Sequence, residues 1–221
     1  KPKRLNKAIE LLEQDQPVYY TGAGPLTYDQ GKKMALTFAD MLNVELEHGA
    51  LDFTALRAFM RGLRDGGPTH SGHLTPAVFV TLPALGLNQA QMLANSWMVR
   101  ALLDCGVHSL DLCHARDPKA IEVYVAAARF PFKRPGVPDL PMEGLRGSGS
   151  QGFASQIWGV SPNHYLHVAD PGPFNPKGEI LLGLKDEDLH ALANTEKSLA
   201  VPGTAYCEWG PGDMRMSMAA A

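Results

Sequence analysis

Two stretches decide the fold: Leu181-Leu-Gly-Leu-Lys-Asp-Glu187 and Ala205-Tyr-Cys-Glu-Trp-Gly-Pro-Gly-Asp213. Each is a short apolar run that ends in an acidic residue. A buried parallel strand delivers a carboxylate to the rim of a barrel in this way, since the working groups of such barrels stand at the C-terminal ends of the strands. Two carboxylates on successive strands can hold one divalent cation. Glu187 and Asp213 are therefore the candidate metal ligands.

Outward from these strands the same unit recurs. Residues 17–21, 41–48, 76–83 and 109–116 read as four earlier strands. In 41–48 the period of two puts Leu42, Val44 and Leu46 on one face and Asn43, Glu45 and Glu47 on the other. The run 76–83 is continuously apolar, as a central parallel strand is. Helical patterns occupy 4–15, 27–39, 88–103 and 190–199. Thr27 serves as an N-cap, as does Asp52 for a further helix that Gly66-Gly-Pro68 ends, and Pro118 opens another. Six strand–helix units mean an α/β fold with a parallel sheet.

The expected architecture is one domain over 1–221, a (β/α)8 TIM barrel incomplete at the C-terminus in this chain. A closed barrel takes about 250 residues, and six units with an excursion fill 221. A doubly wound open sheet is the competing fold. Gly22-Ala-Gly24 is followed by Pro25 and lacks the dinucleotide fingerprint. The excursion, at about 131–179, is rich in Pro, Gly, Ser and aromatics and too long for an ordinary connection. It reads as a cover over the barrel mouth, anchored by Arg146. His70 and His73 read as solvent-facing. The tail from Met214 to Ala221 shows no end-of-domain logic and reads as a cut terminus.

Composition excludes several classes. The net charge of -3 and pI near 6.2 give no footprint for nucleic acid or an anionic membrane. No apolar run reaches a membrane span. The start, Lys1-Pro-Lys-Arg4, is followed by an amphipathic helix rather than a signal core. Cys105, Cys113 and Cys207 lack metal-type spacing and read as reduced thiols of a cytoplasmic protein.

The strand ends gather further polar groups: Glu47 and His48 after the second strand, His114 and Arg116 after the fourth, and Lys185 with Glu187 after the fifth. Two carboxylates and water suit Mg²⁺ or Mn²⁺, with Co²⁺ as a further candidate, better than tetrahedral zinc. A cation held so can chelate a 2-oxo acid and stabilise the enolate formed when a C–C bond breaks. A neutral histidine moves the proton. Gly210-Pro211-Gly212 offers backbone N–H groups to a substrate carboxylate.

Four segments resemble the HpcH/HpaI aldolase family, metal-dependent class II pyruvate aldolases of the phosphoenolpyruvate/pyruvate superfamily. Val44-Glu-Leu-Glu-His48 is similar to its Asp-x-Glu-His. Ala127-Ala-Arg-Phe-Pro131 with Gly144-Leu-Arg-Gly147 is similar to its Arg-Tyr-Pro-Pro…Gly-x-Arg-Gly. Leu184-Lys-Asp-Glu187 stands where it has Gln-Ile-Glu, and Gly210-Pro-Gly-Asp213 where it has Gly-Pro-x-Asp.

The resemblance implies Glu187 and Asp213 as metal ligands, His48 as acid/base supported by Glu47, and the Gly210 and Gly212 backbone as the carboxylate site. It departs at three places. Leu82, before Pro83, stands where the family arginine binds the oxo acid. Lys185 and His114 replace glutamines, and Lys185 or Arg116 would restore the lost positive charge. The implied activity is cleavage of a hydroxy-oxo acid to pyruvate or a related oxo acid plus an aldehyde. Rival readings are an acyl-CoA lyase of the same superfamily and a non-catalytic barrel subunit. Family habit implies a homo-oligomer, hexameric or dimer-based.

Overall fold

The computed structural model describes residues 2–221, so Lys1 of the basic start lies outside them. Six parallel strands run in sequence order: β1 (Tyr20–Gly22), β2 (Met41–Glu45), β3 (Ala77–Leu85), β4 (Ser109–Cys113), β5 (Leu181–Asp186) and β6 (Tyr206–Trp209). Helices α1 (Lys7–Leu12), α2 (Tyr28–Met34), α3 (Phe53–Gly66), α4 (Gln89–Leu103) and α5 (Pro118–Ala128) lie in the first half. The second half carries α6 (Gln151–Trp158), α7 (Pro162–Val168), α8 (Leu189–Leu199) and α9 (Pro211–Ala220). The α/β expectation holds, and most of the tail lies in the helix α9.

Caps start the helices at Thr27 and Asp52, where the sequence places them, and at Asn88, which the sequence pattern includes as the first residue of its helix. Thr27, Asp52 and Asn88 accept hydrogen bonds from the N–H groups of Gln30, Ala55 and Gln91. These side chains satisfy donors that the first turn leaves unpaired. Pro118 fills the first turn of α5 behind its cap Asp117.

Alternation along the strands builds two layers. Leu42, Val44, Val78, Val80, Leu82, Leu110, Leu112, Leu182 and Leu184 face the helices and form the main core. Removing a Leu of this kind from water contributes about 1.5–3 kcal/mol. The opposite face is concave. Its lower part is apolar, with Met41, Ala77, Phe79 and Leu181 packed on Ala8 and Ile9 of α1.

The sheet curls. Flat, its edges would stand about 24 Å apart at the usual strand spacing. Instead Tyr20 on β1 donates to Glu208 Oε1 on β6 at 2.7 Å across the interior. Among the described residues the sheet has six strands and two edges, β1 and β6, and so forms part of a barrel.

The segment 131–179 does not cover the mouth. It contains α6 and α7, and its anchors lie at the opposite end. Trp158 Nε1 donates to Gly106 O, and Trp158 stacks on His108, which precedes β4. Tyr165 donates to Leu103 O at the end of α4. Arg146 is fully buried and donates to Asp104 Oδ1, and its guanidinium lies over Phe130. Burying these aromatics under the N-terminal ends of the strands outweighs what their loop-like composition suggested. His73 is also buried rather than solvent-facing, beside Ser71 and Glu10.

Candidate metal centre

The C-terminal ends of β2, β4, β5 and β6 bring four side chains together. One ligand atom each from Glu47, His114, Glu187 and Asp213 lies within 4.8 Å of every other. The pair at the heart of the sequence argument, Glu187 and Asp213, therefore meets. Glu47 and His114 join it.

Each is positioned by its local backbone. Glu187 leaves β5 fully buried, and its Oε1 accepts the His114 N–H at 2.9 Å. Gly210 makes the approach of β6 possible, since a Cβ there would lie 2.8 Å from Glu187 Oε2. Asp213 stands in the first turn of α9. His114 has a left-handed backbone, φ 45°, which is uncommon outside glycine and recurs at functional sites.

Its Nδ1 is 2.7 Å from Asp188 Oδ2, leaving Nε2 3.9 Å from both Glu47 Oε1 and Glu187 Oε1. A carboxylate behind an imidazole, fixing its free nitrogen toward acidic groups, is the usual support of a histidine ligand. Burial works against ionisation of Asp188. The hydrogen bonds from Arg116, Ala191 N–H and His114 outweigh it and hold Asp188 down at about 2.

Lys185 enters this group as a cation. Its Nζ is 3.0 Å from Glu47 Oε2 and 3.0 Å from Glu187 Oε2. Burial disfavours the ammonium, but the hydrogen bonds to Glu187 and Glu47 hold it well above the ordinary lysine range.

The remaining expected residues fall around this centre. His48 is at the rim, 67% exposed, with Nδ1 3.9 Å from Glu45 Oε1 and 3.8 Å from Glu47 Oε2. It forms a second acidic group with those two residues. Glu45 shapes the loop by accepting the N–H groups of Glu47 and His48.

Arg116 donates from Nε to Asp188 at 2.8 Å. It lines a cleft of about 480 Å³ with His114, Asp188, His190, Asp213 and Ser217. Gly210 is not available to a substrate, because its N–H donates to Asp186 O. Pro211 and Gly212 are exposed at the start of α9. Leu82 is fully buried in the helix-facing layer, so it does not stand in the mouth. Phe79 and Thr81 of β3 face inward, and the register with β4 shifts beyond Thr81.

The donor set fits a divalent cation. Three carboxylates and one imidazole converge, and the imidazole has its supporting acid. Among the described residues no helix is long and apolar enough to cross a membrane.

No protein-family model matches the chain, and no curated protein does. Among solved structures the chain is similar to an HpcH/HpaI aldolase/citrate lyase family protein from Burkholderia cenocepacia J2315, with TM-score 0.70 and 22% identity over 92% of this chain and 68% of that one. It is similar to the HpcH/HpaI aldolase from Desulfitobacterium hafniense DCB-2, with TM-score 0.69 and 19% identity over 96% and 68%. The citrate synthase SbnG gives TM-score 0.64 and 16% identity over 98% and 69%. The chain thus has the fold of the HpcH/HpaI aldolase structures, the family that its four sequence segments resemble.

Proposed function

We propose that the chain is a divalent-metal-dependent carbon–carbon lyase of the HpcH/HpaI kind, cleaving a hydroxy-oxo acid to an oxo acid and an aldehyde. The convergence of Glu47, His114, Glu187 and Asp213 at the strand ends carries the reading. Structures of this fold named as aldolase or citrate lyase family proteins support it.

When bound there, Mg²⁺, Mn²⁺ or Co²⁺ supplies Lewis-acid stabilisation of charge on the keto oxygen of the substrate. Glu187 and Asp213 would hold the ion with His114, which Asp188 orients. Arg116 presents a guanidinium to the substrate carboxylate in the cleft beside it, a geometry suited to carboxylates. His48, exposed at the rim beside two carboxylates, moves the proton.

Manganese binding followed by calorimetry, with cleavage of a panel of hydroxy-oxo acids, tests this. Glu187→Gln should abolish both while the protein stays folded. Cleavage that survives a chelator and this substitution would refute the metal reading.

A further inference from the structure

The departure at Lys185 has a physical consequence. Its ammonium bridges Glu47 and Glu187, two of the four groups that converge as cation ligands. The two carboxylates turn their Oε1 atoms toward His114 Nε2 and their Oε2 atoms toward Lys185, so a divalent cation on the Oε1 side shares its carboxylates with the ammonium and repels it. That repulsion drives Lys185 Nζ away from the centre. A partly buried ammonium moved to a place without counter-charge is costly.

The barrel interior offers such a place directly below. Lys185 is in register with Glu208 on β6. Asp111 on β4 is in register with Gly183, two residues before Lys185 on the same face. Asp111 is fully buried, and among the described residues neither carboxylate oxygen has a hydrogen-bond partner. Gly183 makes the room, since a Cβ there would collide with Asp111 Oδ1 and the Tyr206 ring.

Tyr20 donates to Glu208 Oε1, and Ser109 Oγ lies 3.3 Å from the Tyr206 hydroxyl. Among the described residues neither acid makes an ion pair. Burial first, and then Glu208, raise the Asp111 carboxyl well above the carboxylate range. A buried acid without a counter-ion is the kind of group a cation stabilises.

We infer that Lys185 competes with a divalent cation for the charge of Glu47 and Glu187, and that a cation entering beside it shifts its ammonium down to Asp111 and Glu208. Lys185 is then a built-in competitor for the metal, and Asp111 a positioning residue that lowers the cost of displacing it. The inference rests on the metal reading above.

The test is Mn²⁺ affinity, by calorimetry and by the electron paramagnetic resonance signal of free Mn²⁺. The proteins are wild type, Lys185→Met, Asp111→Asn and the double variant. Removing the competitor should tighten binding by about tenfold or more. Asp111→Asn should weaken it by about fivefold in the wild-type background and by less than about twofold beside Lys185→Met, a coupling that a structural effect would not show.

Glu208→Gln should repeat the Asp111→Asn pattern and takes its place if that variant fails to fold. Lys185→Met binding no tighter than wild type overturns the inference, as does an equal loss from Asp111→Asn in both backgrounds. If Glu187→Gln still abolishes binding, the metal reading survives that result. Absence of Mn²⁺ binding in both wild type and Lys185→Met sinks the metal reading itself.

Discussion

A methyl group at Gly210 tests the centre most directly. In Gly210→Ala the new Cβ would lie 2.5 Å from Glu187 Cβ and 2.8 Å from its Oε2. Ordinary contacts begin at 3.4 Å, so Glu187 or the turn into α9 must give way by about 1 Å, in a region packed like a crystal. Metal–ligand distances tolerate only about 0.2 Å. Either movement takes Glu187 or Asp213 out of reach of a shared ion.

Overpacking of this kind costs about 1–3 kcal/mol of stability. The loss of Mn²⁺ affinity should be about 10–100-fold, as when groups supporting a ligand are altered. Calorimetric Mn²⁺ titration with urea unfolding separates the two effects. Gly212→Ala is the control. It lies two residues away in the same turn, and a Cβ there meets nothing within 4 Å. It should bind Mn²⁺ like wild type. Equal affinities for Gly210→Ala and Gly212→Ala would refute the claim that this glycine exists to let Glu187 reach the ion.

Three further outcomes are expected. Asp188→Asn removes the carboxylate behind His114 and should weaken Mn²⁺ binding by about 10–100-fold. An unchanged constant would remove His114 from the ligand set. Trp158→Ala should cost about 3–5 kcal/mol in urea unfolding and leave Mn²⁺ affinity intact, because Trp158 packs under β4 at the end away from the centre.

His108 is buried and accepts the Val78 N–H on Nδ1, and burial pushes it down to about 3 from 6.5. The unfolded chain therefore binds the proton more readily. The stability it lends is complete above 6.5 and is lost as pH falls toward 3. Between about pH 7.5 and about pH 5, wild type should lose about 2 kcal/mol more than His108→Gln, read from urea midpoints. Parallel losses would show that His108 is not held neutral.

Much of the fold was legible because its signals are local. Strand alternation in 41–48 and the caps Thr27 and Asp52 each depend on a few adjacent residues, and each appears in place. The excursion misled because its composition is that of a loop. Trp158 and Tyr165 fold it into helices through contacts with Gly106 and Leu103, some 50 to 60 residues earlier in the chain. Leu82 misled because a motif position carries no facing: the alternation of β3 turns it to the helices. His73 was unreadable for a similar reason, its partner Glu10 being distant in sequence.

The sequence by itself determined that Glu187 and Asp213 follow successive parallel strands. Parallel strands deliver their C-terminal ends to one side, so these two acids had to share a rim. Only the tertiary structure decided that His114 turns its ring among them, that Lys185 bridges Glu47 and Glu187, and that Asp111 lies unpaired beneath. Those placements depend on the curl of the sheet, cross-strand register and a left-handed backbone at one residue. None of these is encoded in the spacing of residues along the chain.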